Sequence, residues 1–308
     1  MKIITLTLNP AFDIHCNVKG LALRRENLAS ITDYEAGGKG VNISRALKAG
    51  GVESLALVVL GEENGDSFTK LLDKDGITYK PLTVSGRIRE NITLHDGTAE
   101  TRISFEGSEA DSSLLFDVQE LLRAESLDGT FITLTGRIPS GIDISSVKKF
   151  AKDLTQKGAK LVIDSRSFSL DDIIEVRPYL IKPNQEEISE YLGRDIKDFS
   201  EVREAAETLH SRGIENVMIS LGEDGALLVS DEGTYVARPP RIDAISTIGA
   251  GDSSVGGFLA AAVEKKGSRD TLRLAVAYGT AACMTEGTRP PRSEDIQSVY
   301  DHVTVESF

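Results

Sequence analysis

Apolar and polar residues fall into blocks whose period switches along the chain. Lys2–Leu8 is rich in isoleucine, leucine and threonine and stops at Asn9-Pro10, which predicts a first strand. Similar runs at Glu53–Leu60, Ile77–Leu82, Thr130–Thr135, Lys160–Ile163, Tyr179–Ile181 and Asn216–Ile219 predict further strands. Between them, Gly65–Lys74, Ser113–Ala124, Ser145–Gln156 and Val202–Arg212 carry apolar residues at helical spacing. Ala226–Val229 and Thr234–Ala237 flank Asp231-Glu232-Gly233 as a hairpin, and Thr271–Met284 and Ser293–Tyr300 read as closing helices. Strand and helix alternate with no repeat and no low-complexity linker. That pattern predicts an α/β protein with a mostly parallel central sheet, helices on both faces and right-handed crossovers.

Two stretches depart from this alternation. Phe12–Val18 and Leu28–Tyr34 alternate weakly on either side of the polar Arg24-Arg25-Glu26-Asn27, and are expected as small half-exposed strands outside the core. Asn91–His95 and Glu100–Phe105 alternate around Asp96-Gly97, a hairpin signal. Segments 12–34 and 87–106 are therefore expected to pair into a small lid on a single 1–308 domain.

The candidate chemistry sits in two glycine loops. Thr247-Ile248-Gly249-Ala250-Gly251-Asp252-Ser253-Ser254 runs into an apolar, small-residue stretch without proline, so a tight loop opens into a buried helix. The free N–H groups and dipole of such a first turn favour an anion, and glycine lets the backbone approach it. Asp252 places a carboxylate beside that site, able to accept a proton. A plain glycine turn with Asp252 as helix cap is the competing reading. The second loop, Gly37-Gly38-Lys39-Gly40, precedes an amphipathic segment with Asn42 in its first turn and apolar residues at 43, 46 and 47. It suits a phosphate or polyol, or is merely a loop with an exposed lysine. Polar loops also follow three strand ends: Gly136-Arg137-Ile138-Pro139, Asp164-Ser165-Arg166 and Lys182-Pro183-Asn184. In open α/β sheets ligands bind at that edge.

Composition narrows the field. With 35 basic and 48 acidic side chains the net charge is −13, so nucleic acid is a poor partner, and an anionic ligand would need local cations. Cys16 and Cys283 stand alone, and with His15, His95, His210 and His302 they match no metal-ligand spacing or disulfide framework. The N-terminus has no signal-peptide pattern and no run is long enough to span a bilayer, so a cytoplasmic location is expected. P-loop, dinucleotide, nucleophile-elbow and H-E-x-x-H motifs are absent.

Together, Leu8-Asn9-Pro10-Ala11 with Asp13, the GGKGVN loop, Lys182-Pro183-Asn184 with Glu187, Ser220-Leu221-Gly222 and TIGAGDS resemble the signatures of the ribokinase-like (phosphofructokinase-B type) sugar kinases over nearly the whole chain. Lys39, Arg89-Glu90-Asn91 and Arg238-Pro239-Pro240 are most similar to its phosphosugar branch, that of the 1-phosphofructokinases and tagatose-6-phosphate kinases. The resemblance implies a three-layer α/β/α sandwich and transfer of a phosphoryl group from ATP, with Mg2+, to a ketohexose phosphate. Asp252 would be the base and the amides of Gly249, Ala250 and Gly251 the anion hole. Asp13, Gly38 and Asn42 would hold sugar hydroxyls; Lys39 and Arg89 would hold the substrate's existing phosphate, with Arg102 also on the substrate side. Lys182, Asn184, Ser220, Gly222 and Gly251 would line the nucleotide site, with Asn184 and Glu187 organising magnesium through water. The chain departs from the family's Gly-Ser-Leu-Pro at Arg137, which either grips the substrate phosphate or points to solvent, and from Asp-Ser/Thr-Ser at Arg166. A homodimer through the lid is expected, and a monovalent cation such as K+ near Asp243 and the Gly287 loop stays open. Two rivals remain: a kinase for an unphosphorylated sugar or nucleoside, and a non-catalytic sensor on the same fold.

Overall fold

The first strand, β1 (Ile3–Thr7), is buried along its whole length because it runs through the middle of the larger of two sheets. A computed structural model describes Met1–Phe308. After β1 come β2 (Ala11–Val18), β3 (Ala29–Gly37), α1 (Lys39–Ala49), β4 (Leu55–Gly61), α2 (Gly65–Asp75), β5 (Tyr79–Val84), β6 (Arg89–His95) and β7 (Glu100–Ile103). The middle of the chain forms α3 (Ser113–Arg123), β8 (Phe131–Thr135), α4 (Ile144–Gln156), β9 (Lys160–Asp164), α5 (Leu170–Val176), β10 (Leu180–Ile181), α6 (Gln185–Leu192) and α7 (Phe199–Ser211). The last part forms β11 (Asn216–Ser220), β12 (Ala226–Ser230), β13 (Gly233–Arg238), α8 (Ala250–Val263), α9 (Ser268–Ala282), α10 (Ser293–His302) and β14 (Thr304–Ser307).

The large sheet has the order β14-β13-β12-β11-β10-β9-β8-β1-β4-β5. Its strands from β11 to β5 are parallel, and β12, β13 and β14 add an antiparallel edge. Strand alternation sends Ile4, Leu6, Ile132 and Leu134 into one core with Val118, Phe150 and Leu209 of α3, α4 and α7. It sends Ile3 and Phe131 into the other, with Phe258 and Ala277 of α8 and α9. The result is the predicted sandwich. Its small-residue helix α8 is wedged between α1 and α9: a Cβ on Gly256 would lie 3.1 Å from the Ala46 methyl, and one on Gly257 only 2.7 Å from the Leu274 carbonyl. Close helix contact is why this stretch reads as glycine and alanine all round.

The smaller sheet, β3-β2-β6-β7, pairs β2 with β6 in parallel and the other neighbours antiparallel. Here the expectation of half-exposed strands fails for β2, which is buried at seven of its eight positions. Phe12 stacks on Tyr34 at 4.9 Å and meets Phe68 edge-on at 5.2 Å, and with Ile14 and Cys16 it joins Val58, Leu60 and Leu72 in a third core. The other face of β2, carrying Asp13 and His15, is also buried, so alternation in the sequence marked two covered faces rather than one wet one. The outer half of β3 is exposed as expected. Two elements were not anticipated. The short α5 opens on a reciprocal cap between Ser169 and Asp172, and β14 is a mostly exposed edge strand held by its pairing with β13.

Candidate active site

Asp252 occupies the first turn of α8, and its neighbours explain how it is held there. Gly249 is the N-cap residue, in the left-handed region at φ 79°, and no side chain caps the helix, so the reading of Asp252 as a cap is set aside. The carboxylate instead accepts a hydrogen bond from Asn42 Nδ2 at 2.9 Å, joining the two glycine loops. Asp252 is buried, and burial pushes its carboxyl up to about 6. Lys39 opposes that rise and the charge of Asp164 adds to it.

Asp252 opens on a cavity of about 440 Å³ lined by Thr7, Thr135, Asp164 and Lys182, at the carboxyl ends of β1, β8, β9 and β10. The small sheet contributes Asp13, Arg89, Asn91 and Arg102. Gly38, Lys39, Asn42, Arg137, Gly249, Gly251 and Thr288 also line it. A larger cleft of about 650 Å³ lies on the other side of the 284–292 segment. There Arg45 is paired with Asp75 at 2.8 Å and Arg289 with Asp33 at 2.6 Å, whereas the smaller cavity gathers Asp252, Lys39 and the arginines.

Inside the cavity the cations are arranged in two sets. Lys39 lies 2.9 Å from the buried carboxylate of Asp164, whose other oxygen faces Lys182 at 3.6 Å. Despite burial, the charges of Lys182 and Lys39 hold the Asp164 carboxyl below its usual range, and Lys39 in turn is raised by Asp164 and Asp252. Lys182 packs so closely that a Cβ on Gly251 would sit 3.1 Å from its Nζ. The second set is arginine. Arg89 donates to the carbonyls of Phe105, Asn9 and Pro10 at 3.1, 3.3 and 3.4 Å, which anchors it against the rim. Burial lowers its pKa, as do the charges of Arg137 and Arg102, against the pull of Asp13. Arg102 and Asn91 both donate to Asp13 Oδ1, at 3.3 and 3.0 Å. Arg137 lines the cavity while exposed and without a carboxylate partner.

The structure leaves some predicted residues outside this cavity. Asn184 caps α6 by accepting from the Glu187 N–H at 2.8 Å, and Glu187 accepts from the Asn184 N–H at 3.0 Å. A single bridge pairs Asn184 with Ser220, and Gly222 follows at φ 63°, so these four form an adjoining edge beyond Lys182. Ala250 does not line the cavity either. Asp164, Asn91 and Thr288 are site residues that sequence reasoning did not single out. Asp164 had a signal, since it closes a predicted strand at the ligand-binding edge. Thr288 had none, because it arrives from a loop far along the chain.

The same residues can be set against known proteins. A sequence profile described as pfkB family carbohydrate kinase matches residues 7–295. The chain belongs to that family. It is 34% identical over 286 residues to a 1-phosphofructokinase of Escherichia coli K12, covering 91% of this chain and 90% of that one. A 1-phosphofructokinase of Haloferax volcanii is 32% identical, with 98% of each chain covered. Among solved structures, E. coli phosphofructokinase-2 in complex with substrates and products matches with TM-score 0.93 at 26% identity, over 98% of this chain and 99% of that one. A potassium complex of the same protein matches at TM-score 0.91 with the same identity. The architecture is thus the ribokinase-like fold of the pfkB carbohydrate kinases, which pass a phosphoryl group to an alcohol.

Proposed function

We propose that this pfkB kinase transfers the γ-phosphoryl of ATP to a free hydroxyl of a ketohexose monophosphate, with fructose 1-phosphate as substrate and fructose 1,6-bisphosphate as product. The observation that carries the proposal is the buried Asp252 carboxylate in one cavity with three arginines and Lys39. Asp252 takes the proton of the attacking hydroxyl as its oxygen bonds to the γ-phosphorus. The bond from that phosphorus to the β–γ bridging oxygen breaks and leaves ADP. The first-turn amides of Gly249, Ala250 and Gly251 steady the charge on the moving group. Asp13, Gly38 and Asn42 hold sugar hydroxyls, and Arg89, Arg102 and Arg137 hold the existing phosphate. Lys39, held 2.9 Å from Asp164, joins them as a further cation for that phosphate. Lys182, Asn184, Ser220 and Gly222 bound the nucleotide.

Magnesium belongs to the same proposal. No trio of His, Cys, Asp or Glu gathers to cage a metal. Glu187 and the buried Asp164 Oδ2, which has no hydrogen-bond partner, supply one or two carboxylates. That donor set suits an ion that keeps most of its waters and binds chiefly to phosphates. When bound it neutralises charge on the β- and γ-phosphates. A monovalent cation such as K+ is also proposed near Asp243 and the Gly287 loop, where the Ile245 N–H donates to the Cys283 carbonyl at 2.8 Å and ties the 243–246 segment to the end of α9 that leads into that loop.

We place the enzyme in the cytoplasm as one kinase unit with a lid formed by segments 12–34 and 87–106. No helix is long and apolar enough to cross a membrane. The bared lid residues Leu28, Ile31, Ile103 and Phe105 support a homodimer through the lid.

The deciding experiment is a coupled ADP-release assay on fructose 1-phosphate, tagatose 6-phosphate, fructose 6-phosphate and unphosphorylated fructose. Fructose 1-phosphate gives the highest kcat/KM if the proposal holds. Preference for tagatose 6-phosphate moves the protein to the neighbouring activity, preference for the neutral sugar removes the arginine assignment, and no turnover with any of them favours a sensor.

A further inference from the structure

Arg166 stands two positions past Asp164, on the loop after β9, and its partner is the carboxylate to which magnesium has just been assigned. Its Nε donates to Glu187 Oε1 at 2.8 Å and its Nη2 to Glu186 Oε2 at 3.2 Å. The other oxygen of Glu187, Oε2, is committed to the Asn184 N–H at 3.0 Å. That bond belongs to the reciprocal cap at the start of α6, so it is local and persists whatever binds nearby. The Arg166 bond is of a different kind. Its side chain is 56% exposed while that of Glu187 is 13% exposed, so a solvent-mobile cation sits on a largely covered anion. The helix α6 begins directly after the Lys182-Pro183-Asn184 loop, whose Lys182 lines the cavity, so Glu187 in its first turn sits at the edge of the site. With Oε2 taken by the backbone, Oε1 is the oxygen open to the water shell of a divalent ion, and Arg166 occupies it.

We infer that Arg166 and hydrated magnesium compete for Glu187 Oε1, so that Arg166 sets the magnesium concentration at which the nucleotide site fills. The inference rests on the reading of Glu187 given above. Two effects act in the same direction. A water on the ion must displace a charge-assisted hydrogen bond, and a guanidinium close to the carboxylate offsets the attraction it exerts on a divalent cation. Because the arginine is more than half exposed, solvent weakens both, and the consequence is a graded shift rather than an on-off control. Glu186 retains the guanidinium when Glu187 lets it go.

The test is ATP binding by isothermal titration calorimetry across a series of Mg2+ concentrations, for the full chain, Arg166→Ser, Arg166→Lys and Glu187→Gln. Arg166→Ser lowers the Mg2+ concentration at half effect by about three- to fivefold, as expected for loss of a partly exposed pair. Arg166→Lys, which keeps the charge without the fork, falls between. Glu187→Gln raises the midpoint, and metal-free ATP binds Arg166→Ser as it binds the parent. A midpoint unmoved in Arg166→Ser but raised in Glu187→Gln overturns the competition and leaves the magnesium role of Glu187 standing. A midpoint unmoved in Glu187→Gln removes that role, and the competition with it. Weaker binding of metal-free ATP to Arg166→Ser makes Arg166 a phosphate contact and also overturns the competition.

Discussion

At the scale of single residues, Asp252 carries the most consequences. Its carboxyl, raised to about 6 first by burial, must be ionised to accept a proton, so kcat/KM should climb with pH through that value and level off above it. Asp252→Asn should cut kcat by ~10²–10⁴-fold while nucleotide still binds. Stability should move the other way. A carboxyl whose folded pKa lies above its unfolded value contributes stability that is complete at low pH and lost as pH rises through the folded value. Asp252→Asn should therefore raise folding stability at about pH 8 by on the order of 2 kcal/mol, seen as a higher Tm, and change it little near pH 4; thermal scans at the two pH values check this. Arg137 gives a second residue-scale test. Arg137→Ala should raise KM for the phosphosugar about tenfold or more, the usual cost of a lost charged hydrogen bond, with KM for ATP unchanged. An unaltered phosphosugar KM would mean that the side chain points to solvent. Asp252 was legible because glycines and a buried helix surround it in sequence. Asp164 was quoted as the end of a strand but not as a site residue, because only folding places it between Lys39 and Lys182.

At the scale of elements, the longer amphipathic helices and the central strands followed from period, whereas α5 and the burial of β2 did not. The weak alternation of β2 suggested one exposed face, but Asp13 turns into the cavity and His15 lies 3.2 Å from His95 within the small sheet. Close packing of α8 makes a separate prediction. Gly257→Ala would press a methyl toward the Leu274 carbonyl and Tyr278, so denaturant titration should show a loss of about 1–3 kcal/mol. The exposed apolar residues around the start of β3 belong to the proposed dimer surface. Replacing Leu28 and Ile31 with aspartate should convert a dimer to monomer in light scattering; a parent that is already monomeric would discard the assembly.

At the scale of the whole molecule, the cavity exists only because two sheets meet. Arg89 leaves β6 in the small sheet and donates to the Asn9 and Pro10 carbonyls on the link from β1 of the large sheet to β2, while Arg102 holds Asp13 within the small sheet. Phosphosugar should thus close the lid on the sandwich, and hydrogen exchange across β6 and β7 should slow when it is added. Unchanged exchange at saturating substrate would make the lid a rigid wall. The acidic total of −13 gives the arginine set its value, since the rest of the surface repels an anionic substrate.

The sequence alone determined the alternation of strand and helix, the two glycine loops and the polar strand ends, because these depend on local period, backbone freedom and chain direction. Tertiary structure decided what those features face. It alone brought Asn42 to Asp252, buried Asp164 between two lysines, covered both sides of β2 and set Arg166 on Glu187. Each of these joins residues far apart in the chain, and burial and charge pairing depend on the final packing rather than on neighbours in sequence.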